Sequence, residues 1–384
     1  MKPNLLLVAD TYYPKVDGTL IFMEEFIKRS GHQMNISLLV PRFTGKKTKS
    51  LSVNHIQYAD ISGRIKLSGY PSIKLSFKNI RKIKKEIKKA DMVFIQGPAL
   101  LSYVSIYYAH KYNKKTFFYL HVLSWELFST FLPPLLNKLF LKIIKKVSIK
   151  MYKKCTEIFV PYKALKDELI DKKVHVPIRV AKLGVDIHRF SPVVDNEKCK
   201  EKSHIDKDAF VIGYVGRISK EKNVGVLLSA FTKLIDQKSM NKYHLLIVGD
   251  GPLDQTKEFR NNNNCTITGF VDNVHDYLKA MDIFVMPSLT ETTSLATLEA
   301  MSTGLPVIAT KIGFIQKYIT KNHNGIFFPK NSPTMLAMKI EKLRKDPELR
   351  TKLGHNARNT IAYSFSWERS INKIKRLLLE EFYR

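Results

Sequence analysis

Short apolar runs separated by longer amphipathic stretches, a rhythm met twice along 384 residues, constrain this chain more than any other feature. Runs at 4–9, 35–41, 92–96, 116–120 and 157–161 have strand length, and the stretches between them carry apolar residues at helical spacing. A strand that is apolar on both faces needs cover on both, and strands alternating with helical segments are joined in parallel by crossover helices. After a stretch rich in Lys, Asp and Glu at 195–208, the rhythm restarts at 210–215, 244–248, 265–268, 283–287, 306–310 and 325–328. The fold class is therefore α/β, with two doubly wound Rossmann-like domains facing across a cleft, and the length suits two domains. The expected division is an N-terminal domain over 1–190, a second over 191–365, and a C-terminal helix over 366–384 packing back on the first. Ile371, Ile374, Leu377 and Leu378 share one face of that helix, while Gly184 and Pro192 punctuate the connection between domains.

In open α/β sheets, ligands bind beyond the carboxyl ends of the strands, so the loops after each run matter most. Gly216-Arg217-Ile-Ser-Lys220-Glu-Lys222 leaves a strand through a glycine and presents three cations within six residues. A guanidinium fork chelates phosphate oxygens and an ammonium adds a mobile point charge, so a diphosphate is the natural ligand. Downstream, Glu291-Thr-Thr293-Ser294-Leu295 precedes a helix that Ser294 could cap and that would run to about Thr303, with Glu299 inside it. Amides at such an N-terminus favour an anion, and two carboxylates can accept hydrogen bonds from sugar hydroxyls. Asp206-Lys-Asp208 has the form of a metal-binding D-x-D, but it lies immediately before a strand in the charged connection and reads as a turn; no metal site or cofactor is expected.

Jointly, these segments resemble the retaining nucleotide-sugar glycosyltransferases of family 4, which have the two-domain GT-B fold. The resemblance runs through Asp10-Thr-Tyr-Tyr-Pro14, Asp17-Gly18-Thr19, Gly31-His32, His121, Leu183-Gly-Val-Asp186, Gly216 to Lys222, Val248-Gly-Asp-Gly-Pro252, the E-x7-E run from Glu291 to Glu299, and Ser366-Trp-Glu368. It implies that Arg217 and Lys222 hold the donor diphosphate, that Glu299 binds the nucleotide ribose, and that Glu291 holds donor-sugar hydroxyls. It implies further that Gly18 lets backbone amides approach the phosphate, that Thr293, Ser294 and Leu295 line the donor, and that His121 contacts the sugar or a neighbouring backbone group. Similar enzymes react on the front face without metal, the leaving diphosphate oxygen helping to take the acceptor proton. Two positions depart from the family pattern: Asp17-Gly18 stands where a glycine pair is common, and Thr293-Ser294 where an aromatic-glycine pair is common. Donor identity, a UDP- or GDP-sugar, stays open.

Charge decides where the acceptor is sought. The chain holds 64 Lys+Arg against 34 Asp+Glu, a net +30, and residues 1–184 hold 34 of the cations against 12 acids. An excess on one half points to an anionic partner, although a lysine bias on solvated faces needs none. Residues 77–90 form a basic amphipathic pattern in which Lys78, Arg81, Lys82, Lys85 and Lys89 are the candidate membrane contacts and Phe77, Ile80, Ile83 and Ile87 the apolar face. A second pattern places Leu136, Leu139, Phe140, Ile143, Ile144, Val147 and Met151 on a face expected to pack on the sheet, with Lys138, Lys142, Lys145 and Lys146 mostly opposite. The opening DTYYPKVDGT is also similar to the diacylglycerol glucosyltransferase and sulfoquinovosyltransferase branch. The expected activity is therefore sugar transfer to a membrane lipid such as diacylglycerol, on the cytoplasmic face of an anionic membrane. Transfer to a polysaccharide or lipid-linked oligosaccharide is the alternative. Nucleic-acid binding is disfavoured, because no reader module or aromatic-interleaved basic stretch occurs. Cys155, Cys199 and Cys265 lack metal-ligand spacing, and no apolar run is long enough for a signal peptide or a spanning helix, so a cytoplasmic, peripheral protein is expected.

Overall fold

The computed structural model describes every residue except 46–49, 68–69, 126–133, 236–242 and 261. The chain divides into two compact units, Met1–Leu183 with Glu368–Arg384, and Gly184–Trp367.

The first unit contains β1 (Asn4–Ala9), α1 (Gly18–Ser30), β2 (Asn35–Pro41), β3 (His55–Ala59), β4 (Ile61–Leu67), β5 (Tyr70–Ile73), α2 (Phe77–Lys89), β6 (Met92–Gly97), α3 (Leu100–Lys111), β7 (Lys115–Leu120), α4 (Pro134–Tyr152), β8 (Glu157–Val160), α5 (Lys163–Asp171) and β9 (Ile178–Val180). Its main sheet runs β3-β2-β1-β6-β7-β8-β9, parallel throughout, and β4 and β5 form a separate antiparallel pair. The strand order reverses between β1 and β6, the position at which α/β sheets open a crevice. Leu5 to Ala9 and Met92 to Ile95 are all at most 2% exposed, because helices cover both faces of these central strands. Strands β3, β4, β5 and β9 have no counterpart in the sequence expectation. Three of the five residues of β3 are only partly buried, and β9 is a three-residue edge strand, so neither has a continuous apolar run to announce it.

The second unit contains α6 (Glu197–Lys202), β10 (Phe210–Val215), α7 (Val224–Ile235), β11 (Tyr243–Val248), α8 (Leu253–Arg260), β12 (Cys265–Ile267), α9 (Val274–Lys279), β13 (Ile283–Met286), α10 (Leu295–Ser302), β14 (Val307–Thr310), α11 (Ile315–Tyr318), β15 (Ile326–Phe328), α12 (Pro333–Lys345) and α13 (Pro347–Ser364). Its parallel sheet runs β12-β11-β10-β13-β14-β15, with the reversal between β10 and β13. The last helix, α14 (Trp367–Tyr383), rejoins the first unit from Glu368 onward. Ile371, Ile374 and Leu378 are fully buried there, the Lys373 ammonium donates to the Val180 carbonyl at 2.8 Å, and the Ser370 hydroxyl donates to the Lys182 carbonyl.

Candidate functional site

In the second unit, the loops after β10, β11 and β13 are locked together by close backbone approach. A Cβ on Gly249, whose φ is +142°, would stand 2.1 Å from the Gly216 carbonyl oxygen, so only glycine lets the β10 and β11 loops meet. The Gly216 amide donates to Val248 O at 3.0 Å, and the Ile218 amide to Asp250 O at 2.8 Å. A 3-10 turn over Lys220–Lys222 is tied to the β13 loop by the Leu289 amide, which donates to Glu221 O at 2.9 Å. This backbone frame carries the charged groups.

Lys222 Nζ lies 2.5 Å from Glu291 Oε1, and the Ser288 hydroxyl donates to the same oxygen at 3.0 Å. The carboxylate is 8% exposed and the ammonium 21%, so the pair is largely withdrawn from water and each charge depends on the other. The main chain of Glu291 is fixed as well: a Cβ on Gly313 would fall 1.7 Å from the Glu291 carbonyl oxygen. Arg217 behaves differently. Its side chain is 58% exposed and its guanidinium reaches Glu221 at 3.4 Å, which leaves it at the surface of the same frame.

Glu299 sits within α10, half-buried, and its carboxylate makes no hydrogen bond among the described residues. Burial pushes its pKa up to about 7, with Arg189 pulling the other way. Ser294 occupies the N-cap position of α10 but does not cap it. Its φ of +56° turns the hydroxyl to Thr297 Oγ1 at 2.8 Å instead of a helix amide, which corrects the sequence expectation; the helix also ends at Ser302. Thr293 is buried with its hydroxyl unpartnered among the described residues, and Leu295 opens the helix. Asp206-Lys-Asp208 forms a turn in which the Asp208 amide donates to Asp206 Oδ1 at 3.0 Å.

In the first unit, the side chains at the strand ends are held by hydrogen bonds to the chain itself. Gly18 is the first residue of α1, and the Asp17 carboxylate before it takes the Thr19 and Leu20 amides at 3.0 Å each. The departure from a glycine pair thus has a cost for the expected role: two amides near Gly18 are already satisfied by the chain itself. His121 follows β7, its amide donating to Gly97 O at 3.2 Å. Its ring packs against Tyr119 and Phe22, with centroids 4.6 and 5.8 Å away, and Nε2 meets Gln96 Oε1 at 2.9 Å. Burial pushes the imidazole down to about 3, so the ring is neutral at ordinary pH. Two residues to which sequence reasoning gave no role complete this end of the sheet. Asp10 caps α3, accepting from the Ala99 amide at 3.0 Å, the Leu101 amide at 2.9 Å and the Ser102 hydroxyl, while burial lifts its pKa to about 6 against those bonds. Gln96 is fully buried. The available signal for it was a lone amide inside the apolar run at 92–96.

The basic helices divide unlike the sequence expectation. On α2, Ile83 and Ile87 are buried, but Phe77 is 98% exposed. Lys82 is turned inward, its ammonium donating to Tyr58 O at 3.1 Å and Asp60 Oδ2 at 3.2 Å, and Lys89 pairs with Glu86 at 3.0 Å. Lys78, Arg81 and Lys85 are exposed. Two of the five candidate membrane contacts are therefore engaged in ion pairs with their own unit. On α4 the correction is larger: Phe140, Ile143 and Val147, expected to pack on the sheet, are 47%, 51% and 46% exposed. The inward side of this helix is made by Ser148 and Tyr152, whose hydroxyls join a network with Ser124 and Tyr103. Exposed Lys142, Lys146 and Lys150 run beside the apolar stripe, and Lys145 leans over the Trp125 ring at 5.3 Å. The side chains of Leu136, Lys138 and Leu139 lie outside the described residues. Among the described residues, no helix is long and apolar enough to cross a membrane.

Two family models match in tandem: Glycosyltransferase Family 4 over residues 25–189, and Glycosyl transferases group 1 over residues 195–360. The alpha-monoglucosyldiacylglycerol synthase of Acholeplasma laidlawii is 27% identical over 91% of this chain and 90% of its own. An Escherichia coli alpha-1,3-galactosyltransferase, named for UDP-Gal and a GlcNAc-diphosphoundecaprenol, is 28% identical over 62% of this chain and 65% of its own. Among solved structures, Anabaena HepE in complex with UDP superposes with a TM-score of 0.77 at 16% identity, covering 98% of this chain and 100% of that one. With two reversed parallel sheets of this order and both family models matched one after the other, the chain belongs to the GT-B glycosyltransferases, a group 1 enzyme with a family 4 N-terminal domain.

Proposed function

We propose that this enzyme is a retaining, metal-independent hexosyltransferase that moves a sugar from a UDP- or GDP-sugar to a membrane lipid such as diacylglycerol, working as a peripheral protein on the cytoplasmic face. The observation that carries the lipid acceptor is the outward stripe Phe140, Ile143 and Val147 on α4, with Lys142, Lys146 and Lys150 beside it. Three apolar side chains held in water at i, i+3 and i+7 are unfavourable unless something covers them, and a row of cations selects an anionic interface. Each lysine near an anionic bilayer contributes about 1 kcal/mol, so the row suffices for reversible attachment without a spanning helix. The full-length likeness to a diacylglycerol-modifying synthase supports the same acceptor class.

For the donor, Arg217 is the exposed fork and Lys222 the point charge for a diphosphate. Both would stabilise the charge that builds on the leaving group, which is the step where protein electrostatics lower the barrier most. Glu299, whose carboxylate makes no hydrogen bond among the described residues, suits ribose hydroxyls, and Glu291, already held by Lys222 and Ser288, suits the sugar. The two cations supply the positive charge that a metal provides elsewhere, so turnover should persist in excess chelator. A lipid-linked oligosaccharide acceptor is the second reading, favoured by the likeness to the undecaprenol-directed galactosyltransferase.

The test compares the parent with a Phe140→Ser/Ile143→Ser/Val147→Ser variant on vesicles containing phosphatidylglycerol and diacylglycerol. Loss of vesicle binding and of transfer to diacylglycerol, with donor hydrolysis unchanged, is expected. Equal binding by both would remove the lipid reading and leave the oligosaccharide one.

A further inference from the structure

We propose that Gln96 is a positioning residue: its amide oxygen holds His121 in the Nε2–H tautomer, so that Nδ1 is offered as a hydrogen-bond acceptor to a substrate hydroxyl. The inference rests on the glycosyltransferase reading only for the word substrate; the tautomer itself is a property of the first unit alone.

The geometry is specific. Gln96 and His121 stand at the carboxyl ends of the neighbouring strands β6 and β7, where Gln96 is in register with Tyr119. In this amide orientation Gln96 Oε1, which can only accept, faces Nε2 at 2.9 Å, and the bond is made when the hydrogen is on Nε2. A neutral ring carries one N–H, which leaves the lone pair on Nδ1. The ring is in contact with Phe22 at a near-perpendicular 82° and with Tyr119 at 41°, and Nδ1 makes no hydrogen bond among the described residues. Neutrality follows from the same surroundings, since burial disfavours the imidazolium.

A second observation concerns Gln96 itself. The side chain is fully buried, yet its Nε2 has no partner among the described residues. An orphaned buried amide costs about 1–3 kcal/mol, and its place in the run 92–97 is otherwise filled by apolar residues or glycine. A leucine would avoid that penalty. What leucine cannot do is accept from His121, so the one side-chain bond that Gln96 makes among the described residues is the reason the chemistry at this position is polar. The consequence for the reaction is that His121 serves as a neutral acceptor that recognises an O–H group, and not as a cation facing the diphosphate.

The experiment is 15N NMR of the full chain labelled at histidine. The parent should show His121 protonated at Nε2 and unprotonated at Nδ1 from pH 6 to 8. Gln96→Glu, which keeps an acceptor, should retain that tautomer; Gln96→Leu should shift the ring toward Nδ1–H or a mixture. Turnover of Gln96→Leu should fall about 10-fold or more, while its affinity for UDP or GDP stays within twofold of the parent and its melting temperature does not fall correspondingly. A parent ring protonated at Nδ1 overturns the proposal, and this outcome needs no variant to fold. An unchanged tautomer in Gln96→Leu also overturns it, as does an altered tautomer with unaltered turnover; none of these results touches the glycosyltransferase assignment.

Discussion

The two sheets share a plan, reversing strand order between β1 and β6 in the first unit and between β10 and β13 in the second, yet the chemistry at the two reversals is opposite. At the end of β10 and β13 the groups are ionic: Lys222 with Glu291, Arg217 with Glu221, and Glu299, whose carboxylate makes no hydrogen bond among the described residues. At the end of β1, β6 and β7 the groups are held by hydrogen bonds: a neutral His121 with Gln96, and Asp10 buried over the start of α3. The lesson is that a parallel sheet supplies positions, while the loops decide whether those positions hold charge. An end with cations suits a diphosphate, whereas a hydrogen-bonded end suits hydroxyls whose recognition depends on direction.

Removing charge from the ionic end should break this contrast most visibly. Lys222→Ala leaves Glu291 buried without its cation, so both donor binding and folding should suffer. Turnover should fall at least 100-fold and stability by about 3 kcal/mol, read by steady-state kinetics and chemical denaturation. Adding Glu291→Gln should restore much of the stability and none of the turnover, and a fully active double variant would show the pair to be structural only.

Glu299 sharpens the contrast through pH. Its carboxyl titrates near 4.5 in the unfolded chain and about 7 in the folded one, so the native state binds the extra proton between those values. Stability from this group is therefore greatest below pH 4.5 and declines as pH rises to 7. Glu299→Gln lacks the effect, so its melting temperature should gain on the parent from pH 5 to pH 7.5. Its affinity for a nucleoside diphosphate should fall about 10-fold at pH 8, where the parent offers a carboxylate to ribose. Equal affinity in isothermal calorimetry would remove Glu299 from the donor site.

At the hydrogen-bonded end, Asp10→Ala deprives α3 of its N-terminal cap and should cost about 1–2 kcal/mol in denaturation. Nucleoside diphosphate affinity should not change, because the ionic groups belong to the other unit. The smallest effect separates two lysines on α2: Lys82→Ala should cost about 0.5 kcal/mol through the loss of Asp60, and Lys85→Ala nothing measurable. Equal costs would mean that the inward turn of Lys82 contributes nothing.

Much of this was legible in order along the chain, because a strand covered on both faces must be written as a continuous apolar run. The runs at 4–9, 35–41 and 210–215 coincide with β1, β2 and β10 to the residue. The donor-site candidates were legible for a related reason: cations after a glycine and carboxylates around a helix start are local chemistry, and local spacing survives in sequence. Partnership was not. That Lys222 closes on Glu291 across 69 positions, that Gly313 makes room for the Glu291 carbonyl, and that Ser294 turns its hydroxyl away from the helix it precedes all depend on which loops the sheet brings together. The helix α4 shows the same limit from the other side, since helical periodicity tells which residues share a face but not which face looks inward. Sequence alone determined the buried strands, their parallel connection and the identity of the charged groups, because those follow from neighbours along the chain, whereas the half-exposed β3, the antiparallel pair β4–β5 and the short edge strand β9 did not. Only the tertiary structure decided that Phe140, Ile143 and Val147 face water, that Lys82 does not, and that Gln96 meets His121, because each is settled by residues distant in sequence competing for the same buried space.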